Sequence, residues 1–237
     1  MTDSLVVQWP ADAAQQLILL FHGVGGRPRD MLPLGRRLRA QFPSAVIVSV
    51  AAPHAADQGA GRQWFSVQGI GDENRAARAQ EAMPAFVAAV HHWQKESGIG
   101  VPATALIGFS QGAIMALEST RHGASLAGRV ASIAGRFALL PERARPETTM
   151  HLFHGKTDAV IAYTHTIAAA ERLVELGGDV TADVLPFVGH EINRTVEDLL
   201  IERLRGYIPR RLWEEALRAD PEAPPPACLP PVSRRLH

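Results

Sequence analysis

Ser110 stands in Gly108-Phe109-Ser110-Gln111-Gly112, a G-x-S-x-G pattern. The apolar run Thr104 to Phe109 precedes it and a helical pattern from Gly112 to Arg121 follows. That context is what a nucleophile elbow needs, a tight turn that lifts a serine hydroxyl above a sheet edge. Glycine on both flanks lets strand and helix approach without a Cβ clash. The bland alternative is a glycine-rich turn with no chemistry, and the strand-to-helix setting argues against it. An aliphatic hydroxyl is a poor nucleophile at neutral pH, so it needs a base within hydrogen-bond reach. For an elbow of this kind the chain order runs serine, then Asp or Glu, then His.

Both partners are available downstream. Asp158, in His154-Gly155-Lys156-Thr157-Asp158, comes just after the apolar run Met150 to Phe153. The end of a parallel strand is where an open α/β sheet gathers its site. A helix-capping aspartate is the competing reading for Asp158. Three histidines follow it, His165, His190 and His237. His165 lies inside a helical pattern and His237 ends the chain given. His190, in Phe187-Val188-Gly189-His190-Glu191, lies on a glycine-marked loop between a strand pattern and the last long helical pattern. The expected roles are His190 as base and then acid, and Asp158 as the group that fixes the imidazole tautomer.

The negative charge that develops on an attacked carbonyl needs donors aimed at it. The Gln111 N–H, at a helix start, is one expected donor. The other is the Val24 N–H in Phe21-His22-Gly23-Val24-Gly25-Gly26, with His22 bracing that loop. Trp64 and Phe65, in Arg62-Gln63-Trp64-Phe65-Ser66, are expected either to wall a substrate pocket or to plug the core. A dinucleotide fingerprint starting at Gly23 fails because Pro28 stands where its last glycine belongs. No metal is expected. His151 and His154 are three apart on a strand and face opposite ways, and His91 and His92 diverge on a helix. The serine chemistry calls for no cofactor. Cys228 sits in a proline-rich stretch and is no candidate nucleophile.

The elements that must hold these groups are legible as alternation. Strand patterns cover Leu17 to Phe21, Ala45 to Val50, Thr104 to Phe109, Val130 to Ala134, Met150 to Phe153 and Val180 to Leu185. Runs apolar on both faces suit strands buried between helix layers. Helical patterns cover Arg29 to Phe42, Glu73 to Ser97, Gly112 to Arg121, Ile161 to Leu176 and Asn193 to Ile208. Pro84 is expected to kink or split the second of these. The repeated alternation predicts an α/β fold, a mostly parallel sheet with helices on both faces. One domain is expected over residues 1–218, followed by a proline-rich tail over 219–237.

Composition narrows the partners. Lys plus Arg and Asp plus Glu number 24 each, so no net charge draws the chain to nucleic acid or an anionic membrane. No apolar run approaches the roughly 20 residues of a membrane span. The start of the chain lacks the basic and apolar regions of a signal peptide. With a single cysteine no internal disulfide forms, which fits a reducing compartment. A cytoplasmic location and a small-molecule partner are the resulting expectations, and a homodimer stays open.

Taken together, H-G-V-G-G from His22, W-F-S from Trp64, G-F-S-Q-G from Gly108, H-G-x-x-D from His154 and G-H-E-I from Gly189 resemble the carboxylesterase/phospholipase family of α/β-hydrolases, which includes the acyl-protein thioesterases. The resemblance runs from about Leu5 to Leu217. It implies an α/β-hydrolase fold without a large lid domain. It also implies a serine carboxylesterase acting on short- to medium-chain acyl esters, with the triad Ser110, Asp158 and His190. An acyl-protein thioesterase or a lysophospholipase would share that triad. A non-catalytic binding relative is the alternative of another class. Gly26, Ala113 and Ala159 depart from the residues common in the family, and these departures bear on the shape of the oxyanion loop.

Overall fold

The computed structural model describes residues 3–219. Nine strands form in chain order: β1 (Leu5–Gln8), β2 (Gln16–Phe21), β3 (Ala45–Val50), β4 (His54–Ala55), β5 (Arg62–Gln63), β6 (Thr104–Phe109), β7 (Arg129–Ile133), β8 (Thr149–Gly155) and β9 (Asp179–Leu185). Six α-helices accompany them: α1 (Leu32–Gln41), α2 (Asp72–Ser97), α3 (Gln111–Ser119), α4 (Thr164–Glu175), α5 (Arg194–Gly206) and α6 (Arg210–Ala219). Two compact units divide the chain after Tyr207, and α6 belongs to the second. Apart from Ala219, the proline-rich stretch 219–237 lies outside the described residues.

The main sheet has seven strands in the order β1-β3-β2-β6-β7-β8-β9. All neighbours pair in parallel except β1, which runs antiparallel to β3 at one edge. The two short strands β4 and β5 form a separate antiparallel pair. Side-chain alternation splits the core into two layers. Leu17, Leu19 and Phe21 of β2 join Val46, Val48, Leu106 and Met150 beneath the α2 residues Met83, Phe86, Val90 and Trp93. Ile18 and Leu20 turn to the opposite face with Ile47, Ile107 and Phe153, against Leu34 and Leu38 of α1 and Val196 and Leu200 of α5. Strands with a covered face on either side read as continuous apolar runs, which is why most of them are visible in the sequence.

Several elements differ from expectation, among them β4, β5 and α6, which have no expected counterpart. α2 runs unbroken from Asp72 to Ser97 with Pro84 inside it, so the proline does not split the helix. Pro84 is exposed while Met83 and Phe86 beside it are buried. The hydrogen bond it cannot make therefore falls on the solvent side, where water can satisfy the orphaned carbonyl. β1 was not expected as a strand at all. As an edge strand it leaves Leu5 and Val6 exposed, so it lacks the apolar signature of the buried strands.

Register brings the chemistry to one sheet edge. Phe21 pairs with Gly108, Phe109 with Ile133, Ile133 with Phe153, and Gly155 with Leu185. The loops after β2, β6, β8 and β9 thus emerge side by side at the carboxyl ends of the strands. No inserted lid domain interrupts this order among the described residues.

Candidate active site

Ser110 occupies the turn between β6 and α3 with φ 52° and ψ −116°, a conformation that L-residues rarely adopt. Close packing enforces it. A Cβ at Gly108 would overlap the backbone of Gly112 and Ala113, and one at Gly112 would overlap the carbonyls of Phe21 and His22. The Ser110 N–H donates to the Ile133 carbonyl at 3.0 Å, which ties the turn to β7. Strain at such a position persists only where the surroundings over-determine it.

The imidazole arrives from the β9–α5 loop. His190 Nε2 lies 2.9 Å from Ser110 Oγ, and His190 Nδ1 lies 2.7 Å from Asp158 Oδ2. A carboxylate can only accept, so Nδ1 carries a proton toward Asp158 and Nε2 is left to accept the serine proton. The Phe109 ring packs against the imidazole at 5.1 Å between centroids. The loops carrying Asp158 and His190 are stitched together. Lys156 N–H donates to Leu185 O at 2.8 Å, and Thr157 donates to Val188 O through its N–H at 3.0 Å and its hydroxyl at 2.7 Å.

Asp158 has a fully buried side chain. Burial by itself pushes its carboxyl up, but the Ile161 N–H, His190 and the Val160 N–H together hold it below the ordinary aspartate value. Its Oδ1 accepts from Val160 N–H at 2.8 Å and from Ile161 N–H at 2.9 Å. Asp158 does not cap the next helix, because α4 begins at Thr164; Oδ1 braces the turn that follows β8, while Oδ2 faces His190.

Of the two expected oxyanion donors, Gln111 follows the serine directly, and Val24 follows Gly23, which packs against the serine. Gln111 opens α3, so its N–H has no carbonyl one turn behind it within the helix. Val24 follows Gly23, where an added Cβ would stand 3.1 Å from the Cβ of Ser110. His22 sets that loop. It is buried, and its Nε2 lies 3.2 Å from the Ala52 N–H, so Nε2 must accept. Its Nδ1 then carries the proton and donates to the Gly23 carbonyl at 2.8 Å. Burial lowers the His22 pKa and favours this neutral form. Gly26 N–H also donates to Gly23 O at 3.1 Å. The Gly23 carbonyl and the Val24 N–H belong to one planar peptide, so two donors on the carbonyl fix the direction of the amide.

Trp64 and Phe65 are buried, and the cavity they border with Gln63, Arg78 and Ala82 does not include Ser110. Trp64 is 1% exposed, and its ring packs on Phe21 and Phe86 with centroids 6.0 and 5.1 Å apart. Phe65 is 6% exposed. Of the two expectations, the core reading describes the rings, which join the cluster formed with Met83 and Phe86 of α2. Their backbone has a separate part in the site. Gln111 Oε1 accepts from the Trp64 N–H, and Gln111 Nε2 donates to the Phe65 carbonyl, both at 2.8 Å. Residue types alone could not reveal this clamp.

A family model described as phospholipase/carboxylesterase matches residues 2–204. The chain belongs to the phospholipase/carboxylesterase family. Among its relatives, esterase YpfH of Escherichia coli is 50% identical over 215 residues, 91% of this chain and 93% of YpfH. Acyl-protein thioesterase 1 of Neurospora crassa is 30% identical over 159 residues, 60% of this chain and 65% of that protein. The crystal structure of esterase PE8 superposes with a TM-score of 0.75 at 28% identity, covering 84% of this chain and 97% of PE8. The fold is that of the α/β-hydrolases, as the motifs implied. Two of the departures from common family residues have local reasons. A Cβ at Gly26 would meet Gly23 O at 3.0 Å and the His22 ring at 3.3 Å, so the folded loop leaves little room for a larger residue. Ala113 lies directly against Gly135, where any added Cβ would overlap its methyl group.

Proposed function

We propose that this chain is a serine carboxylesterase that hydrolyses short- to medium-chain acyl esters through an acyl-enzyme. The observation that carries the reading is the Ser110–His190–Asp158 chain of hydrogen bonds, 2.9 and 2.7 Å long. His190 takes the Ser110 proton as Oγ attacks the ester carbonyl. The Val24 and Gln111 N–H groups stabilise the oxygen that becomes negative. His190 then passes the proton to the departing alcohol, leaving an acyl group on Ser110. Water repeats the sequence, and the acid leaves. Exposed apolar side chains on the same loops, Val24, Val160 and Phe187, favour an uncharged acyl group over a charged one.

A non-catalytic binding role fits poorly. Three buried or half-buried polar groups held at hydrogen-bond distance, one of them in a strained turn, have no value in simple packing. The relationship to an acyl-protein thioesterase supports acyl thioesters as a second substrate class served by the same groups. The deciding experiment is labelling with a fluorophosphonate followed by peptide mapping. The label is expected on Ser110 in the wild-type protein and absent from Ser110→Ala. Paired assays with p-nitrophenyl butyrate and a butyryl thioester then rank the two substrate classes. An unlabelled wild-type protein with no turnover of either ester would defeat the reading.

A further inference from the structure

One buried titratable side chain touches this site without a part in the steps above. His154, near the end of β8, has a side chain that is 0% exposed, as is that of Asp158. Its Nε2 lies 2.8 Å from the Ile161 carbonyl oxygen and 3.1 Å from Asp158 Oδ2. Its Nδ1 lies 2.7 Å from the Thr166 hydroxyl on α4. A carbonyl oxygen only accepts, so Nε2 carries a proton and donates it to Ile161 O, with Asp158 Oδ2 in electrostatic contact beside it. Nδ1 is then free to accept from Thr166, which locks the tautomer. Burial lowers the His154 pKa, although the Ile161 carbonyl and Asp158 pull the other way. The charged or titratable groups facing the ring are Asp158, His190 and, from α4, His165.

We propose that His154 is a positioning residue for Asp158, a neutral second imidazole whose Nε2–H group stands against the same oxygen His190 uses. The inference rests on the Ser110 reading for its kinetic consequences. The carboxylate accepts from the Val160 and Ile161 amides on Oδ1 and from His190 on Oδ2, with His154 Nε2 3.1 Å from that same Oδ2. The two carboxylate oxygens share one rotation about Cβ–Cγ, which the amides on Oδ1 restrain from one side. The His154 N–H dipole beside Oδ2 restrains it from the other, so that oxygen stays aimed at His190 Nδ1. The same dipole offsets part of the negative charge. That weakens the pull of Asp158 on an imidazolium at His190, and so helps His190 release the proton to the leaving alcohol.

The test compares His154→Leu with His154→Gln, whose side-chain amide can still donate. Turnover and KM for p-nitrophenyl butyrate, the pH profile of kcat/KM and thermal unfolding are measured on each. His154→Leu is expected to lower kcat roughly ten- to a hundredfold, on the scale of one hydrogen bond to a charged group. KM should stay unchanged, because the ring is buried away from substrate. The acid limb of the profile should move to higher pH, since an Asp158 without that N–H dipole beside it holds the imidazolium more tightly. His154→Gln should recover most of both effects. Wild-type kcat and acid limb in the Leu variant would overturn the proposal. So would an equal loss in both variants with an unmoved acid limb, which marks a merely structural role. Side-chain nitrogen NMR of the wild-type protein decides the geometry without activity. A neutral His154 protonated on Nε2 supports the proposal, and a charged ring or a proton on Nδ1 defeats it. A wild-type protein with that NMR signature but no label on Ser110 would overturn the Ser110 reading instead.

Discussion

The side chain of Gln111 bridges to the backbone of Trp64, with Oε1 accepting from the Trp64 N–H at 2.8 Å while Nε2 donates to the next carbonyl at the same distance. The residue proposed to offer its backbone amide to an oxyanion thus uses its side chain to fix the segment beside it. Gln111→Ala keeps the backbone amide and removes the clamp. Two buried backbone groups then lose partners, which costs about 1–3 kcal/mol each where no water replaces them. Urea denaturation of Gln111→Ala should show a loss in that range, with a fall in kcat larger than any change in KM. A variant as stable and active as wild type would show that the clamp is dispensable.

Replacing the proposed triad members separates their roles. Ser110→Ala should lose roughly 10⁶ in turnover, on the precedent of other serine hydrolases. Asp158→Asn keeps the shape but offers an NH₂ group to His190, which favours the wrong tautomer. Roughly 10⁴ in kcat should go with it. Steady-state kinetics on p-nitrophenyl butyrate with purified, folded variants measures both. An Asp158→Asn enzyme within tenfold of wild type would show that the His190 tautomer does not depend on the carboxylate.

Much of this site could be read from residue order. Ser110, Asp158 and His190 each follow a strand pattern in the required sequence, and buried parallel strands leave an apolar record along the chain. What stayed hidden depends on which way a side chain turns in three dimensions. Trp64 sits beside loop residues in sequence, yet its ring faces Phe86 on the far side of the segment. His154 looks like a strand histidine until the turn at Gly155 folds Asp158 back against it. Pro84 reads as a break because the sequence does not say that its missing N–H faces solvent. β1 left little trace because an edge strand has a face to expose.

Gly61 is the tightest approach behind the loop around Gly25, the proposed source of one oxyanion donor. A Cβ there would overlap the Gly25 backbone, and the two segments are joined by Gly25 N–H to Arg62 O at 2.9 Å and Arg62 N–H to Gly26 O at 2.8 Å. Backbone cannot yield as a flexible side chain does. Gly61→Ala should therefore push Gly25 and Gly26 away from β5 and turn the Val24 amide off its target. Loss of one oxyanion donor lowers kcat by about 10²–10³. The rate of fluorophosphonate labelling should fall in step, because phosphonylation develops the same oxyanion. Unchanged labelling in Gly61→Ala would mean that the loop absorbs the methyl group or that the Val24 amide is not the donor.

Acid should destabilise this fold through its buried histidines. His151 has a fully buried side chain between Thr181, Arg129 and the Tyr207 ring, and burial with the nearby Arg129 charge lowers its pKa to about 3. An unfolded chain protonates the same ring near ~6.5. Above that pH neither state binds the proton, and the term is zero. Between ~6.5 and about 3 the unfolded chain binds a proton that the folded one refuses, so stability falls as pH falls. At pH 5 the penalty from this one ring is about 2 kcal/mol. His22 and His154 are shifted in the same direction and add to it. Urea denaturation at pH 7 and pH 5 should show the loss in the wild-type protein, with a smaller slope in His151→Asn. The same slope in both proteins would mean that His151 accepts its proton without unfolding.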